Sequence, residues 1–216
     1  MKTKVLLTLL LVNFTALAQV SVFDNVSTPP RSLQENNGLL YTRLNAEIRV
    51  WNALPQNTDV AIVGSGTGSA DGFVIENDML YYTNESGNNV VRWDLNNFTL
   101  TYLGNNFSDG INPDYITIVN GTIFITADLP NSGGSVKALL FYDNNSDSFF
   151  IANGLGSGEI TGITSDGTTI YILKRSGVLL TVDVSNFNYQ VTNLNNTLGN
   201  DTHGLEIIND LVYYTD

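Results

Sequence analysis

A unit of about 42 residues recurs along this chain, and that period constrains the fold more than any other feature. The segments "GLLYT" (38–42), "MLYYT" (79–83), "TIFIT" (122–126), "TIYIL" (169–173) and "LVYYT" (211–215) line up, and their last residues lie 41, 43, 47 and 42 positions apart. That is the length of one four-stranded propeller blade. A turn signal introduces each copy: Asn37-Gly38, Asn77-Asp78, Asn120-Gly121, Asp166-Gly167 and Asn209-Asp210. Such pairs suit a two-residue type I′ hairpin, whose central residues both need positive φ.

Further short β-rich runs flank the motif, such as "GFVIE", "DYITIV" and "GLEII" ahead of the turn. After the motif come "EIRVWN", "NVVRWDL", "KALLFYD" and "LLTVDV", and then "DVAIV", "FTLTYL", "SFFIA" and "YQVTNL". Each repeat therefore supplies four strands, A to D. With many Asn and Gly turns and no long apolar stripe at helical spacing, the expected class is all-β: a propeller of four-stranded antiparallel blades. Four complete units are followed by strands A and B of a fifth. The expectation from this count is about four and a half blades of a longer, six-bladed parent, which at this period needs roughly 250 residues. "QVSVFD" (19–24) is then a candidate closing strand, since exposed strand edges invite association.

The expected division is a leader at 1–18, an N-terminal segment at 19–29 and blades from 30 to 216. Lys2 and Lys4 precede the largely apolar run Val5–Val12, and Ala16-Leu17-Ala18 supplies small residues for cleavage. This is the layout of a secretory signal peptide, which places the protein in the extracellular space or a periplasm. The run is too short to span a hydrocarbon core of about 30 Å, and no other stretch approaches that length, so no membrane span is expected. Without cysteine, neither disulfides nor lipid attachment through a thiol is available. Removing the leader leaves seven basic against 21 acidic residues, a net charge of −14. Such a chain repels phosphate backbones, which argues against nucleic-acid partners.

The stretches "MLYYTNESGNNVVRWDL" and "LVYYTD" resemble the YWTD repeats of lipoprotein-receptor propellers and the related NHL-type repeats, over nearly all of residues 30 to 216. Tyr82 and Tyr214 stand where YWTD repeats have Trp, and the motif becomes "FITAD" and "YILKR" in the third and fourth copies. The resemblance implies the blade. It implies no single activity, because such folds host many.

Counting twelve residues back from each motif end reaches Pro30, Asp71, Asp114, Thr161 and His203, at the expected starts of the innermost strands, with Glu159 two residues before Thr161. Asp71, Asp114, Glu159 and His203 are thus candidate metal ligands at the channel mouth, with oxygens suited to Ca²⁺ and an imidazole able to act as a base. An acidic chain also places carboxylates at any wet channel mouth. "DNNSDS" (143–148) alternates like the start of a calcium loop, but Ser148 and Gly154 stand where an EF-hand needs Gly and Glu, so a turn between strands C and D explains it. "GSGTGSADG" (64–72) and "GLGSGE" (154–159) lack the helix and lysine of a phosphate loop and read as connections from strand D to strand A. Tyr81, Tyr82, Tyr213, Tyr214, Trp51 and Trp93 are expected in the core between blades. Two functions fit: a non-catalytic secreted scaffold binding a protein, peptide or glycan, or a metal-dependent lactonase-like hydrolase of the kind gluconolactonase-like propellers represent, with its site at the channel mouth.

Overall fold

In the computed structural model the described residues are 33–44, 47–52, 59–63, 72–84, 87–104, 111–129, 136–185, 188–199, 201–208 and 211–215. The hairpin turns carry the expected chemistry. Asn37 and Gly38, Asn77 and Asp78, and Asn120 and Gly121 all adopt positive φ, between 50° and 76°. Only residues that tolerate the left-handed region occupy such positions cheaply. The fourth turn departs from the two-residue expectation. Ser165 pairs with Ile170, leaving four residues in the loop. There Asp166 Oδ1 accepts the N–H groups of Thr168 and Thr169 at 2.9 and 2.8 Å. The Asp side chain closes this turn in place of a second left-handed residue. Asn209-Asp210 lies outside the described residues.

Among the described residues these turns organise eighteen strands into five sheets, four of them four-stranded and antiparallel, arranged as the blades of a propeller. Blade 1 is β1 (Leu33–Asn36), β2 (Leu39–Leu44), β3 (Glu47–Asn52) and β4 (Asp59–Val63); blade 2 is β5 (Phe73–Glu76), β6 (Met79–Asn84), β7 (Asn89–Asp94) and β8 (Leu100–Leu103). Blade 3 is β9 (Asn112–Val119), β10 (Thr122–Asp128), β11 (Val136–Asp143) and β12 (Ser148–Ser157); blade 4 is β13 (Ile160–Ser165), β14 (Thr169–Lys174), β15 (Val178–Asp183) and β16 (Val191–Thr197). A two-stranded sheet follows, β17 (His203–Ile208) and β18 (Leu211–Thr215). Strand order follows chain order in every sheet, as short antiparallel hairpins dictate. Segment 19–29, with its candidate closing strand, lies outside the described residues.

The end of strand D in blade 3 differs from the sequence expectation. "GLGSGE" was expected to be a connection, yet β12 runs to Ser157, pairing Lys137 with Gly156 and Ala138 with Gly154. Leu155 is the extra residue of a β-bulge, and Gly156 beside it takes φ +72°. The bulge turns Leu155 into the core, where it is 4% exposed. The carbonyls of Leu155 and Ser157 both accept from Lys174 Nζ of blade 4, each at 2.8 Å.

Hydrophobic side chains collect between blades rather than within one central core. Tyr41, Ile48 and Val50 of blade 1 meet Phe73, Leu80 and Tyr82 of blade 2. Val90 and Leu103 of blade 2 meet Ile116, Ile125 and Leu140 of blade 3. Phe124, Leu139 and Leu155 of blade 3 meet Ile160, Ile172 and Val182 of blade 4. The repeat threonine helps to join neighbours: buried Thr83 donates its hydroxyl to Asp114 O of blade 3 at 2.6 Å. Turns also touch across blades, with Asn37 Nδ2 donating to Asp78 Oδ1 at 2.8 Å and Asn120 Nδ2 to Gly167 O at 3.0 Å. Among the tyrosines, Tyr82 is 4% exposed, and desolvation raises its phenol to about 12. Tyr213 and Tyr214 are 50% and 37% exposed, contrary to the core expectation, because the two-stranded sheet has a neighbour on one side only among the described residues.

The innermost strands approach most closely at glycines. A Cβ on Gly162 would lie 2.8 Å from Leu205 Cβ and 3.1 Å from Leu205 N, so β13 and β17 can pack at this distance only without a side chain there. Gly162→Ala is expected to destabilise the protein by about 1–3 kcal/mol, the usual cost of overpacking a site with little room to relax. Urea unfolding of the variant against the parent measures this. An unchanged midpoint would show that the two strands do not pack as described.

Candidate functional site

The five innermost strands are edge strands of their sheets. Their outer backbone edges ring a cavity of about 890 Å³, within the range of small-molecule and peptide sites. Segments 33–35, 72–74, 115–118, 161–165 and 204–206 form the wall, joined by Tyr213 and Tyr214. Strand A of every repeat therefore contributes, as the propeller pattern requires.

The wall's chemistry follows from short, hydroxyl-bearing residues on these strands. Thr117, Thr161, Thr164 and Ser165 line it, and most of their side chains also hold blades in place. Ser165 Oγ donates to Ile118 O at 3.4 Å, and Thr161 Oγ1 to Leu173 O at 3.4 Å. Gln34 extends the pattern with its amide. Ile75 N–H donates to Gln34 Oε1 at 2.8 Å, and Gln34 Nε2 donates to Ile75 O at 3.3 Å. A side-chain amide thus reproduces a backbone pairing between the first two innermost strands, which cannot otherwise bond to each other. Gly72, Gly162 and Gly204 open the wall at one end, and Tyr115 adds an aromatic surface there.

Of the four candidate ligands from the sequence, two can be placed in full. Asp114 stands near the start of β9, as expected, but it does not border the cavity. Its Oδ2 lies 2.8 Å from Lys137 Nζ, and the same ammonium lies 2.6 Å from Asp128 Oδ1. The three side chains are only 9–20% exposed. Burial alone would lower the Lys137 amine, but hydrogen bonds and charge from the two carboxylates outweigh it and raise the amine above its ordinary value. Glu159 precedes β13 and pairs with Arg175 at 2.7 Å, and Arg175 Nε lies 3.2 Å from Asp201 Oδ1. These exposed groups tie the β14–β15 turn to the approaches of β13 and β17. Thr202 Oγ1 reinforces the tie by donating to Lys174 O at 2.8 Å. His203 begins β17, pairing with Thr215; its side chain and all of Asp71 lie outside the described residues. Among the described residues no three acidic or imidazole side chains gather to hold a metal ion.

The "DNNSDS" carboxylates are committed to local structure. Asp143 accepts from Asn145 N and from Ser146 Oγ, closing its own turn. Asp147 Oδ1 accepts from Gly104 N of blade 2 at 3.0 Å and from Tyr142 OH at 2.7 Å, bonds that hold its carboxyl below the ordinary range. The stretch is a turn that clamps two blades.

Sequence reasoning missed Tyr115, Glu206 and Tyr213 as cavity residues. Tyr115 follows Asp114 directly, and a shift of one in strand register decides which of two neighbours faces the channel. Glu206 lies inside "GLEII", where a single acidic residue interrupts an apolar innermost strand. That interruption was the available signal.

The sequence matches no known family profile and no curated protein. The backbone is similar to that of YjhT, with a TM-score of 0.62 at 13% identity, over 89% of this chain and 73% of that one. It is also similar to the computationally designed protein Ika8 (TM-score 0.60, 11% identity, 88% of this chain and 56% of that one). A third likeness is to KlHsv2 with loop 6CD replaced by a Gly-Ser linker (TM-score 0.56, 13% identity, 88% and 63%). The chain thus spans less than two thirds of the length of Ika8 and of this KlHsv2 variant. At such identities the likeness is one of fold alone.

Lys137→Met is expected to cost about 3 kcal/mol at neutral pH, because it leaves two buried carboxylates without their cation. The sign of its pH dependence is diagnostic. Like charges left facing each other raise the affinity for a proton, so the deficit should shrink on acidification. In the parent the raised amine keeps its contribution at every pH below its ordinary value. Thermal melts of both proteins from pH 4 to pH 8 read the difference. A deficit independent of pH would mean that the two carboxylates do not share Lys137.

Proposed function

We propose that the protein is an exported, non-catalytic propeller scaffold that binds a ligand in its central channel. One observation carries this reading: five innermost strands enclose about 890 Å³ with backbone edges, hydroxyls and tyrosines. Backbone N–H and C=O groups along an edge strand that no side chain already occupies are hydrogen-bonding capacity open to a ligand. A ligand bearing its own donors and acceptors, such as a peptide segment or a glycan, satisfies them at many points, and tyrosine faces stack on apolar or sugar surfaces. The leader at 1–18 and the cysteine-free, acidic chain support export as a non-disulfide protein.

The chemistry at the mouth supports binding over turnover. Asp114 is held against Lys137 and Glu159 against Arg175, an arrangement that stabilises the blades. A general base or metal ligand would first have to leave these partners.

Leu33 lines the cavity and is 56% exposed, so Leu33→Trp adds bulk to the channel with little cost to folding. Screening the exported protein on glycan and heptapeptide arrays should give hits that the Leu33→Trp variant loses while its melting temperature stays within about 2 °C of the parent, the shift of a small surface change. Hits that survive the substitution would move the site away from the channel. Hydrolysis of lactone or ester substrates above background, abolished by Asp114→Asn, would overturn the scaffold reading in favour of the hydrolase.

A further inference from the structure

The two-stranded sheet has two unlike faces. In β17–β18 the cross-strand pairs are Leu205 with Tyr214 and Glu206 with Tyr213, and successive pairs point to opposite sides. Leu205 abuts Gly162, and Tyr214 OH donates to Leu198 O at 2.8 Å, so that face is turned to blade 4. Glu206 and Tyr213 therefore stand side by side on the other face. Both line the cavity, as do Leu205 and Tyr214 on the blade 4 side and Leu33 and Glu35 of β1.

The charge of this space is one-sided. Its described lining holds two carboxylates, Glu35 and Glu206, and no lysine or arginine. The cations near the ends of blades 3 and 4 are already engaged: Lys137 by Asp114 and Asp128, Arg175 by Glu159 and Asp201, and Lys174 by two backbone carbonyls. Glu35 uses one oxygen on the β1–β2 turn, accepting from Gly38 N at 2.7 Å. Glu206 meets no basic group among the described residues. Partial desolvation raises its carboxyl above the ordinary value against a bond from Ile207 N–H, while the side chain stays exposed to the channel, where a cation can reach it. Tyr213, directly across the ladder, adds a ring face, which attracts cations through its quadrupole. A free metal ion would need several convergent oxygens, whereas Glu206, which accepts only the backbone N–H of Ile207 and meets no basic group among the described residues, offers a single carboxylate amid backbone edges that can pair with an extended main chain.

We propose that the channel admits a segment of a polypeptide partner and takes up one of its lysine or arginine side chains, with Glu206 as counter-charge and Tyr213 as the aromatic wall. This assignment rests on the channel being the binding site. The net charge of −12 over the whole chain adds long-range attraction for a basic partner, weakened by salt.

The test is a heptapeptide array with each residue type at each position, probed with the parent, Glu206→Gln, Tyr213→Leu and Leu33→Trp proteins. Lysine and arginine should be enriched at one position at least tenfold over norleucine, and glutamate excluded. That preference should fade between 50 and 500 mM NaCl, vanish in Glu206→Gln and weaken severalfold in Tyr213→Leu. Glu206→Gln keeps the fold testable: the side chain is exposed and meets no basic group among the described residues, so the near-isosteric amide should melt within about 2 °C of the parent at pH 7. Peptides that bind without basic preference, or a preference that survives Glu206→Gln, would overturn the charge assignment while leaving the channel as the site. Binding that Leu33→Trp does not block would overturn the channel reading itself.

Discussion

Burial between neighbouring blades is the interaction on which everything else in this structure depends. A four-stranded sheet with apolar side chains on both faces has no interior of its own, so it gains stability only by covering each face with another sheet. Leu80, Ile125 and Ile172 illustrate the rule: each lies on the second strand of its blade, fully buried, in a cluster shared with an adjacent blade. Polar groups are fitted to the same joints. Thr83, Asp147, Lys174 and Thr202 each bond a backbone group of a neighbouring blade, so the interfaces are registered as well as covered.

This explains why the fold was legible in the sequence. Each blade needs the same hairpin at the same distance from its neighbour, which demands Asn, Asp or Gly at recurring positions and an apolar run after them. The left-handed angles at Asn77 and Asp78 are the physical counterpart of that spelling. Legibility failed where a side chain or bulge replaced the local rule. Asp166 closes its turn by accepting backbone N–H groups, and the glycines at 154–158 prolong a strand that their composition suggested would end.

The site was less legible for a related reason. Counting from the motif ends located the starts of the innermost strands, and Asp114, Thr161 and His203 do stand on them. The count cannot say which way a side chain turns or which cation waits beside it. Lys137 lies 23 residues from Asp114 in sequence and follows no repeat position, yet it decides what Asp114 does. The cavity's own character comes from Gly, Ser and Thr, residues that also fill ordinary turns and so give little signal.

The joints have a consequence for how such a chain reaches its folded state. The bonds between blades described above span 47 residues of sequence or fewer, as between Asn120 and Gly167, and the substantial strand contacts join the same or adjacent blades. Among the described residues, then, assembly never waits on a distant meeting of chain ends. Closing short loops costs little entropy, and each added blade finds its template already formed. Any adjacent pair can serve as the nucleus, and growth proceeds outward one joint at a time. A chain delivered from its N-terminus can therefore begin to fold as soon as its second blade emerges.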